Sequence, residues 1–158
     1  IGNYKKEDAI DLLQKFALGM KKGDKLLLGI DLQKSPITIQ KAYDDPHGIT
    51  KAFNINLLRR INRELEADIS LDQFDFYCHY NPENGEVNSY LFSLIKQQFY
   101  SKILDTTFTI QKDEMIWTEL SKKYSLAEIE ELASTLDFKV VENFLDKKGY
   151  FADSLWEK

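Results

Sequence analysis

Apolar residues recur along this chain first at helical spacing and then at strand spacing. The spacing predicts a helix over residues 7–20, followed by an almost unbroken apolar strand over residues 25–31. A helix followed by a buried strand of the parallel type is half of a doubly wound α/β unit. We therefore expect an α/β fold of mixed α+β character, with Asp31 at the carboxyl end of the strand, where such sheets bind ligands.

The middle of the chain begins with two helices. A short helix is predicted over residues 36–43, and a turn rich in Asp, Pro and Gly over 44–48 precedes a second helix over 49–65. Apolar residues recur every four positions in the second helix and predict its buried stripe. They are Ile49, Phe53, Leu57, Ile61 and Leu65, with Leu58 beside them. Asn56 and Asn62 are expected to face water or to hold a neighbouring loop.

Beyond residue 71 the apolar spacing changes from the helical period to the period of two that is typical of strands. Strands are predicted over residues 74–80, 87–96, 99–110 and 115–123, with an Asn-Gly turn at Asn84 and Gly85. Together they predict an antiparallel sheet of about four strands, backed by the helix over 49–65.

The last segment returns to helical spacing. Ser125 and Glu128 form the signature of a capping box at the start of a helix over residues 125–136. Strands are then predicted over residues 138–145 and 150–156. Residues 1–33 and 124–158 are thus predicted to form one α/β domain, into which residues 34–123 are inserted as a second, α+β domain.

Composition excludes several functional classes. The formal net charge of −5 argues against nucleic acid or an anionic membrane surface as the main partner. One cysteine excludes an internal disulfide, and two histidines are too few for a His-rich metal site. No apolar run approaches the ~20 residues needed to span a bilayer. We expect a cytoplasmic protein that binds a small molecule and no metal.

Four motifs, in order along the chain, resemble one known family. The longest is A-Y-D-D-x-x-G-x-T-x-x-F-N-x-N-x-L-x-x-x-N-R-E-L over residues 42–65. The others are I-G-N at residues 1–3, GDKLLLGIDL at 23–32 and TELSKKY at 118–124. Together they resemble the histidine-specific, S-adenosylmethionine-dependent methyltransferases, the ergothioneine-pathway enzymes that trimethylate the α-amine of histidine. The resemblance implies the C-terminal half of a class I methyltransferase Rossmann-like sheet with an inserted substrate-binding domain. Such sheets end in a hairpin after a helix, so the strands over 138–145 and 150–156 are expected to rejoin the strand over 25–31.

The resemblance also implies four substrate-binding residues and no catalytic acid or base. Glu119 and Ser121, two residues apart on one strand, match the Glu and Ser that hydrogen-bond the substrate imidazole. Tyr43 and Asn3 match residues that hold the α-amino and carboxylate end. Orientation of the amine lone pair towards the methyl carbon is then the task of the protein. From the strand pattern alone, an outward polar face is the better interpretation of Glu119 and Ser121, and a packing role is a common one for a residue such as Tyr43.

Two departures from the family keep other functions open. A Met that lines the imidazole pocket in the family matches a position at about Ser89, which leaves room for another amine, such as a tryptophan derivative. The glycine-rich loop that binds S-adenosylmethionine has no match, because no two of the seven glycines form G-x-G. A non-catalytic ligand-binding or assembly module is therefore a third hypothesis.

The chain begins at Ile1, inside what resembles a loop of the family fold, so we expect it to be part of a longer protein. The parent would use S-adenosylmethionine, whereas this part alone is expected to bind no cofactor and to be inactive. Exposed sheet edges at the truncation predict a homodimer.

Overall fold

The computed structural model describes all 158 residues and confirms the predicted mixed α/β class. It contains four α-helices and eight strands. In chain order they are α1 (Lys6–Gly19), β1 (Lys25–Asp31), α2 (Pro36–Tyr43), α3 (Ile49–Glu64), β2 (Phe74–Asn81), β3 (Glu86–Ser93), β4 (Gln97–Ser101), β5 (Thr106–Ile110), β6 (Met115–Lys122), α4 (Leu126–Thr135), β7 (Lys139–Leu145) and β8 (Phe151–Glu157). No helix is long and apolar enough to cross a lipid bilayer.

The chain divides into two compact units. The first unit contains Ile1–Ser35, Asn81–Val87 and Leu120–Lys158, and the second contains Pro36–Tyr80 and Asn88–Glu119. By this division, residues 81–87 and 120–123 cluster with the first unit. That unit 2 is an inserted substrate-binding domain remains a proposal.

The first unit is built on the antiparallel sheet β1-β8-β7. The terminal hairpin does rejoin β1, in a register that runs from Lys25 opposite Glu157 to Asp31 opposite Phe151. Its core buries Trp156 completely, together with Leu13 of α1 and Ile129 of α4. Trp156 also donates from Nε1 to Ser154 Oγ over 2.7 Å, so its polar atom is satisfied where the ring is buried.

The expectation of a buried, parallel β1 is wrong for this chain. Only Ile30 of the strand is buried, and Leu27 is 59% exposed. Parallel contact is limited to one isolated bridge between Leu32 and Tyr124. The physical reason is that β1 is an edge strand of its sheet, with β8 on one side only. An apolar run indicates burial on both faces, but it does not show that both faces are covered within the same chain.

The second unit contains two small sheets rather than the expected single one. Strands β2, β3 and β6 form one sheet, in that order, and β4 pairs with β5 in a separate hairpin. Residues 99–110 were predicted to be one strand but turn back on themselves at Asp105, whose φ is +46°. Positive φ is unusual outside glycine and is typical of a tight turn, which the alternating pattern did not reveal.

The predicted apolar stripe of α3 is confirmed only in its second half. Leu58 is buried and Ile61 packs against the core of the second unit. Ile49 and Phe53, by contrast, are 69% and 66% exposed, and Asn54 is buried. Asn54 can be buried because its side chain is fully engaged: Nδ2 donates to Thr50 O over 3.0 Å, and Oδ1 accepts from the Thr118 hydroxyl over 2.6 Å.

Asn62 holds a loop, which was one of its two predicted roles. Its side-chain amide donates to Ile69 O over 2.8 Å and accepts from Ile69 N over 2.9 Å. This pair of hydrogen bonds fixes the segment between α3 and β2 next to the helix that precedes it.

Candidate functional site

Strand β6 carries two of the four predicted substrate-binding residues, and the other two lie on different elements. Asn3, in the turn before α1, donates from Nδ2 to Leu120 O of β6 over 3.1 Å. Within the first unit, therefore, Asn3 is next to the strand segment that continues to Ser121. Tyr43 is the last residue of α2 and Glu119 lies on β6, both in the second unit and both half-buried.

The two sides of β6 have different neighbours in the second unit. Thr118 points towards α3, because its hydroxyl donates to Asn54. Trp117 points to the other side, where its Nε1 donates to Asn88 Oδ1 of β3 over 2.9 Å. Side chains alternate along a strand, so Glu119 lies on the side of Trp117, away from α3.

The face of the sheet that carries Trp117 is aromatic as well as polar. Tyr90 of β3 lies two residues after Asn88, and its ring centroid is 6.3 Å from that of Tyr77 on β2. Tyr77 is 48% exposed and Trp117 is 51% exposed. A half-exposed group of aromatic rings beside a carboxylate is a surface on which a planar, polar ring can bind.

Ser89 does not belong to this face. Its residue is 1% exposed, and its carbonyl oxygen lies 3.0 Å from the hydroxyl oxygen of Thr118. It follows the buried alternation of β3, on the side that faces α3, and its Oγ has no hydrogen-bond partner. Ser89 is therefore not positioned to line a pocket with Glu119, and it gives no information on which side chain the face binds.

Lys123 is a residue that the sequence analysis missed. Its side chain is only 4% exposed, and its Nζ donates to Ser121 Oγ over 2.7 Å and to Asp31 Oδ2 over 2.8 Å. Asp31 binds a second lysine, Lys34, at 2.5 Å through Oδ1. The available signals were the position of Lys123 inside the T-E-L-S-K-K-Y motif and that of Asp31 at the end of β1, but nothing linked them.

Asp31 is ionised because of these two lysines. Burial raises the pKa of its carboxyl group, but hydrogen bonds from Lys123 and Lys34 lower it by more, so the pKa lies below the ordinary value of 3.8. The carboxylate of Asp31 thus connects Lys34 with Lys123, whose ammonium group also contacts Ser121.

Lys122 points to the opposite side of β6 and holds a different carboxylate. Its Nζ lies 2.6 Å from Glu128 Oε1, donates to Asn84 O over 2.5 Å, and sits 5.0 Å from the centre of the Tyr124 ring. Glu128 in turn accepts from Ser125 N over 2.7 Å, which completes the predicted capping box of α4.

The backbone at the end of β6 is also tightly held. Lys122 N donates to Gly2 O over 2.6 Å, and Lys123 N donates to Gly85 O over 2.7 Å. Gly85 has φ +72°, and a Cβ at this position would lie 2.2 Å from Lys123 O and 2.7 Å from Gln33 Nε2. Only glycine fits there, so the Asn-Gly turn serves both as the hairpin turn and as an anchor for Lys123.

None of the glycines of this chain lies in a glycine-rich turn of the kind that binds S-adenosylmethionine. A site for this cofactor needs a glycine-rich turn between a strand and the helix that follows it, so that backbone and cofactor approach closely. Of the four glycines with positive φ, Gly48 alone directly precedes an α-helix, and it follows α2 and a turn rather than a strand. Binding of the methyl donor is therefore not assigned to any residue here.

Comparison with known proteins identifies the class to which this fold and strand motif belong. A family model described as "Histidine-specific methyltransferase, SAM-dependent" matches residues 1–158. The chain belongs to this family of S-adenosylmethionine-dependent methyltransferases.

Individual relatives carry related names. A histidine N-alpha-methyltransferase of Mycobacterium tuberculosis is 34% identical over 158 residues, all of this chain and 49% of the relative. Ergothioneine biosynthesis protein 1 of Neurospora crassa is 32% identical over 89% of this chain and 16% of its own. An L-tryptophan methyltransferase of Psilocybe serbica is 28% identical over 96% of this chain and 42% of its own. This chain spans about half the length of the mycobacterial relative.

Proposed function

We propose that this chain supplies the substrate-binding part of an S-adenosylmethionine-dependent methyltransferase that acts on the α-amine of an amino acid, most favourably histidine. Glu119 and Ser121 bind the side-chain ring, and Tyr43 and Asn3 hold the α-amino and carboxylate end. S-adenosylmethionine supplies the methyl group in this family, and we assign its binding to residues outside this chain.

The observation that carries the proposal is the placement of Glu119 on the open, aromatic side of β6. A carboxylate accepts a hydrogen bond from an imidazole N–H, and a hydroxyl two residues further along can serve the second nitrogen. A site that pairs both nitrogens discriminates strongly against side chains that leave its polar groups unpaired. The hydrogen bond from Asn3 to Leu120 O fixes Asn3 beside the same strand. This position supports its proposed role of holding the α-amino and carboxylate end of the substrate.

No acid or base is needed among the four residues. Transfer of a methyl group from a sulfonium to a neutral amine is a displacement, and the protein accelerates it by holding the lone pair in line with the methyl carbon. Orientation of this kind contributes up to ~7–11 kcal/mol in favourable cases. Contacts of Tyr43 and Asn3 with the α-amino and carboxylate end of the substrate would set this orientation.

The decisive experiment compares substrates in the complete gene product that contains this chain. Glu119→Ala should raise the KM for histidine about ten- to a hundred-fold, because a charge-assisted hydrogen bond is lost, and should affect the KM for tryptophan far less. Glu130→Ala, which removes an exposed carboxylate from α4, is the matched control and should change neither. Equal losses for the two substrates would mean that Glu119 does not bind the side chain of the substrate.

Tyr43→Phe tests which end of the substrate the hydroxyl group of Tyr43 contacts. If its hydroxyl holds the main-chain end, this substitution should weaken histidine and tryptophan to the same extent. A loss confined to histidine would move Tyr43 to the side-chain pocket and overturn the division of roles.

A second candidate is methylation of another amine, such as a tryptophan derivative. The specific observation in its favour is the group of Tyr77, Tyr90 and Trp117 on the side of Glu119, because aromatic rings suit an indole as well as an imidazole. A kcat/KM for tryptophan above that for histidine would establish this candidate. Absence of methyl transfer to any amine would leave only a non-catalytic module.

We further propose a cytoplasmic protein with no nucleic-acid or membrane partner, in keeping with its net charge of −5. The open edge of β1, with its exposed Leu27, favours self-association of this chain when it is expressed alone. Light scattering at high concentration should then show a dimer, and a clean monomer would contradict this. Titration of the chain alone with S-adenosylmethionine should show no binding in the micromolar range.

A further inference from the structure

We infer that Asn84 is a site of spontaneous deamidation, that the reaction requires the turn between β2 and β3 to open, and that its isoaspartate product releases the end of β6. The inference concerns a chemical modification of the folded chain and does not depend on the proposed function. The turn and the end of β6 both belong to the first unit.

Asn84 is the one asparagine of this chain that a glycine follows. The backbone nitrogen of Gly85 can attack Cγ of the Asn84 side chain, and glycine hinders this attack least because it has no Cβ. The new N–Cγ bond closes a succinimide ring, the Cγ–Nδ2 bond breaks, and the proton of the Gly85 nitrogen leaves with the ammonia. Asn84 is exposed, so water can reach the ring and open it.

Two products arise when water adds to the succinimide, and neither needs an oxidant or a reductant. If water adds to the side-chain carbonyl, residue 84 becomes aspartate and the main chain keeps its course. If water adds to the main-chain carbonyl, the residue becomes isoaspartate, whose α-carboxylate is free and whose main chain runs through Cβ and Cγ to Gly85. Both products replace a neutral amide with a negative charge.

The folded turn engages both reacting groups in hydrogen bonds. Gly85 N donates to Asn81 O over 2.9 Å, and Asn84 Oδ1 accepts from Glu86 N over 3.0 Å. The carbonyl oxygen of Asn84 also accepts from Lys122 Nζ over 2.5 Å. The Gly85 nitrogen must lose its proton and the Asn84 side chain must turn towards it, so the first two hydrogen bonds break before the ring can close. The reaction therefore starts from a locally opened turn.

Isoaspartate at position 84 does not fit the closed turn. Its main chain has an additional atom before Gly85, which displaces that residue. Gly85 is packed against β6: its carbonyl oxygen accepts from Lys123 N over 2.7 Å, and a Cβ on it would lie 2.2 Å from Lys123 O. Because a packed interior leaves no space for the displaced backbone, the hydrogen bond from Lys123 N is lost. Aspartate keeps the main chain and therefore keeps this bond.

The first test measures deamidation at mildly alkaline pH in the complete gene product and in a synthetic peptide of residues 80–87. Peptide mapping by mass spectrometry quantifies the product at Asn84. The folded protein should react at least about tenfold more slowly than the peptide, because two hydrogen bonds of the turn must break first. Asn81 is the internal control and should stay unmodified in both, since Pro82 has no backbone N–H with which to attack.

Asn81→Ala sharpens the test of turn opening. It removes the hydrogen bond from Glu83 N to Asn81 Oδ1, which stabilises the closed turn, and leaves both reacting groups in place. The rate at Asn84 should rise about threefold towards that of the peptide. Asn56→Ala on α3, outside the turn, is the matched control and should leave the rate unchanged.

Two results of these rate measurements would overturn the inference. A difference between folded protein and peptide smaller than about tenfold, or an unchanged rate in Asn81→Ala, would mean that opening of the turn is not required. No product at Asn84 in the folded protein after about a hundred half-times of the peptide would mean that Asn84 is not a modification site.

The second test separates the altered main chain from the added charge. Ion exchange isolates the isoaspartate form, which is compared with Asn84→Asp, a variant of the same charge with a normal main chain. Hydrogen exchange over residues 120–124 should be about tenfold faster in the isoaspartate form, because Lys123 N no longer donates to Gly85 O. Asn84→Asp should exchange as the wild type does. Equal acceleration in both proteins, or wild-type exchange in the isoaspartate form, would refute the release of β6.

Discussion

Lys122 and Lys123 are consecutive and both buried, yet they occupy two different regions at the end of β6. Lys122 contacts Glu128 and Asn84 and so joins α4 to the strand. Lys123 joins Asp31 and contacts Ser121. Because side chains alternate along a strand, one residue step separates a structural ion pair from one next to the candidate site. Burial of a charge does not by itself indicate function; the groups that it contacts do.

Gly85→Ala should cause the largest loss, because it disturbs the backbone on which both lysines depend. The added Cβ meets Lys123 O at 2.2 Å in a residue with φ +72°, so strain of about 1–3 kcal/mol is joined by a steric clash. Gly149→Ala is the control, since Gly149 has φ +64° but nothing within 4 Å of a Cβ. Thermal unfolding of both variants checks this: equal losses would mean that the clash is relieved by a small shift.

Glu128→Ala tests the ion pair of Lys122 without changing the contacts of Lys123. It leaves the Lys122 ammonium buried without its carboxylate and removes half of the α4 capping box, which should lower the free energy of unfolding by about 1–3 kcal/mol. The pH profile of histidine KM should stay as in the wild type. Urea denaturation measures the first effect and steady-state kinetics the second, and a changed profile would show that the two regions are not independent.

Acid should weaken both regions, and the sign follows from the pKa shifts. Burial raises the pKa values of Asp31 and Glu128, but other contacts lower them by more, to below 3.8 and 4.5 respectively. These contacts come from Lys123 and Lys34 for Asp31, and from Lys122 and Ser125 for Glu128. A depressed pKa stabilises the folded state above the unfolded pKa, and that stabilisation is lost as pH falls through the folded pKa. Melting temperatures should therefore drop below about pH 4.5, and less steeply in Asp31→Asn and Glu128→Gln. A parallel drop in all three proteins would contradict the assignment.

Asp45 is expected to give the smallest effect, and its carboxylate lies at the start of a helix. It accepts from Thr50 N at 2.8 Å and from Ile49 N at 3.0 Å at the start of α3, and the backbone hydrogen bond from Thr50 is the main cause that lowers its pKa to about 2. Asp45→Ala should slightly lower the melting temperature above pH 4, whereas Asp44→Ala should not. An NMR titration that places the Asp45 pKa near 3.8 would show that this cap is not formed in solution.

Local signals in the sequence predicted much of the fold. The bounds of α2 match the prediction, and the capping box of Ser125 and Glu128 is present, because both depend on residues within one or two turns. The return of the terminal hairpin to β1 was also predicted correctly, but from the way in which class I methyltransferase sheets end and not from a local signal.

Features that depend on distant partners were missed. The buried side of α3 includes Asn54, a polar residue that an analysis of apolar spacing places outside the core. Asn54 can be buried because its amide oxygen accepts a hydrogen bond from Thr118, 64 positions away in the chain. Likewise the ion pair of Asp31 with Lys123 joins the ends of two strands that are far apart in the chain, and no periodic pattern in the sequence predicts it. The roles of Glu119, Ser121, Tyr43 and Asn3 came from the family resemblance, since alternation alone fits an ordinary outward face.

The two tryptophans give the chain a built-in spectroscopic label for each unit. Trp156 is completely buried in the core of the first unit, so its fluorescence should be blue-shifted and change sharply when that core opens. Trp117 is 51% exposed in the second unit and should emit at longer wavelength, with sensitivity to whatever binds on its side of β6. Emission recorded at the two wavelengths during denaturation would then report whether the units unfold in one transition or in two.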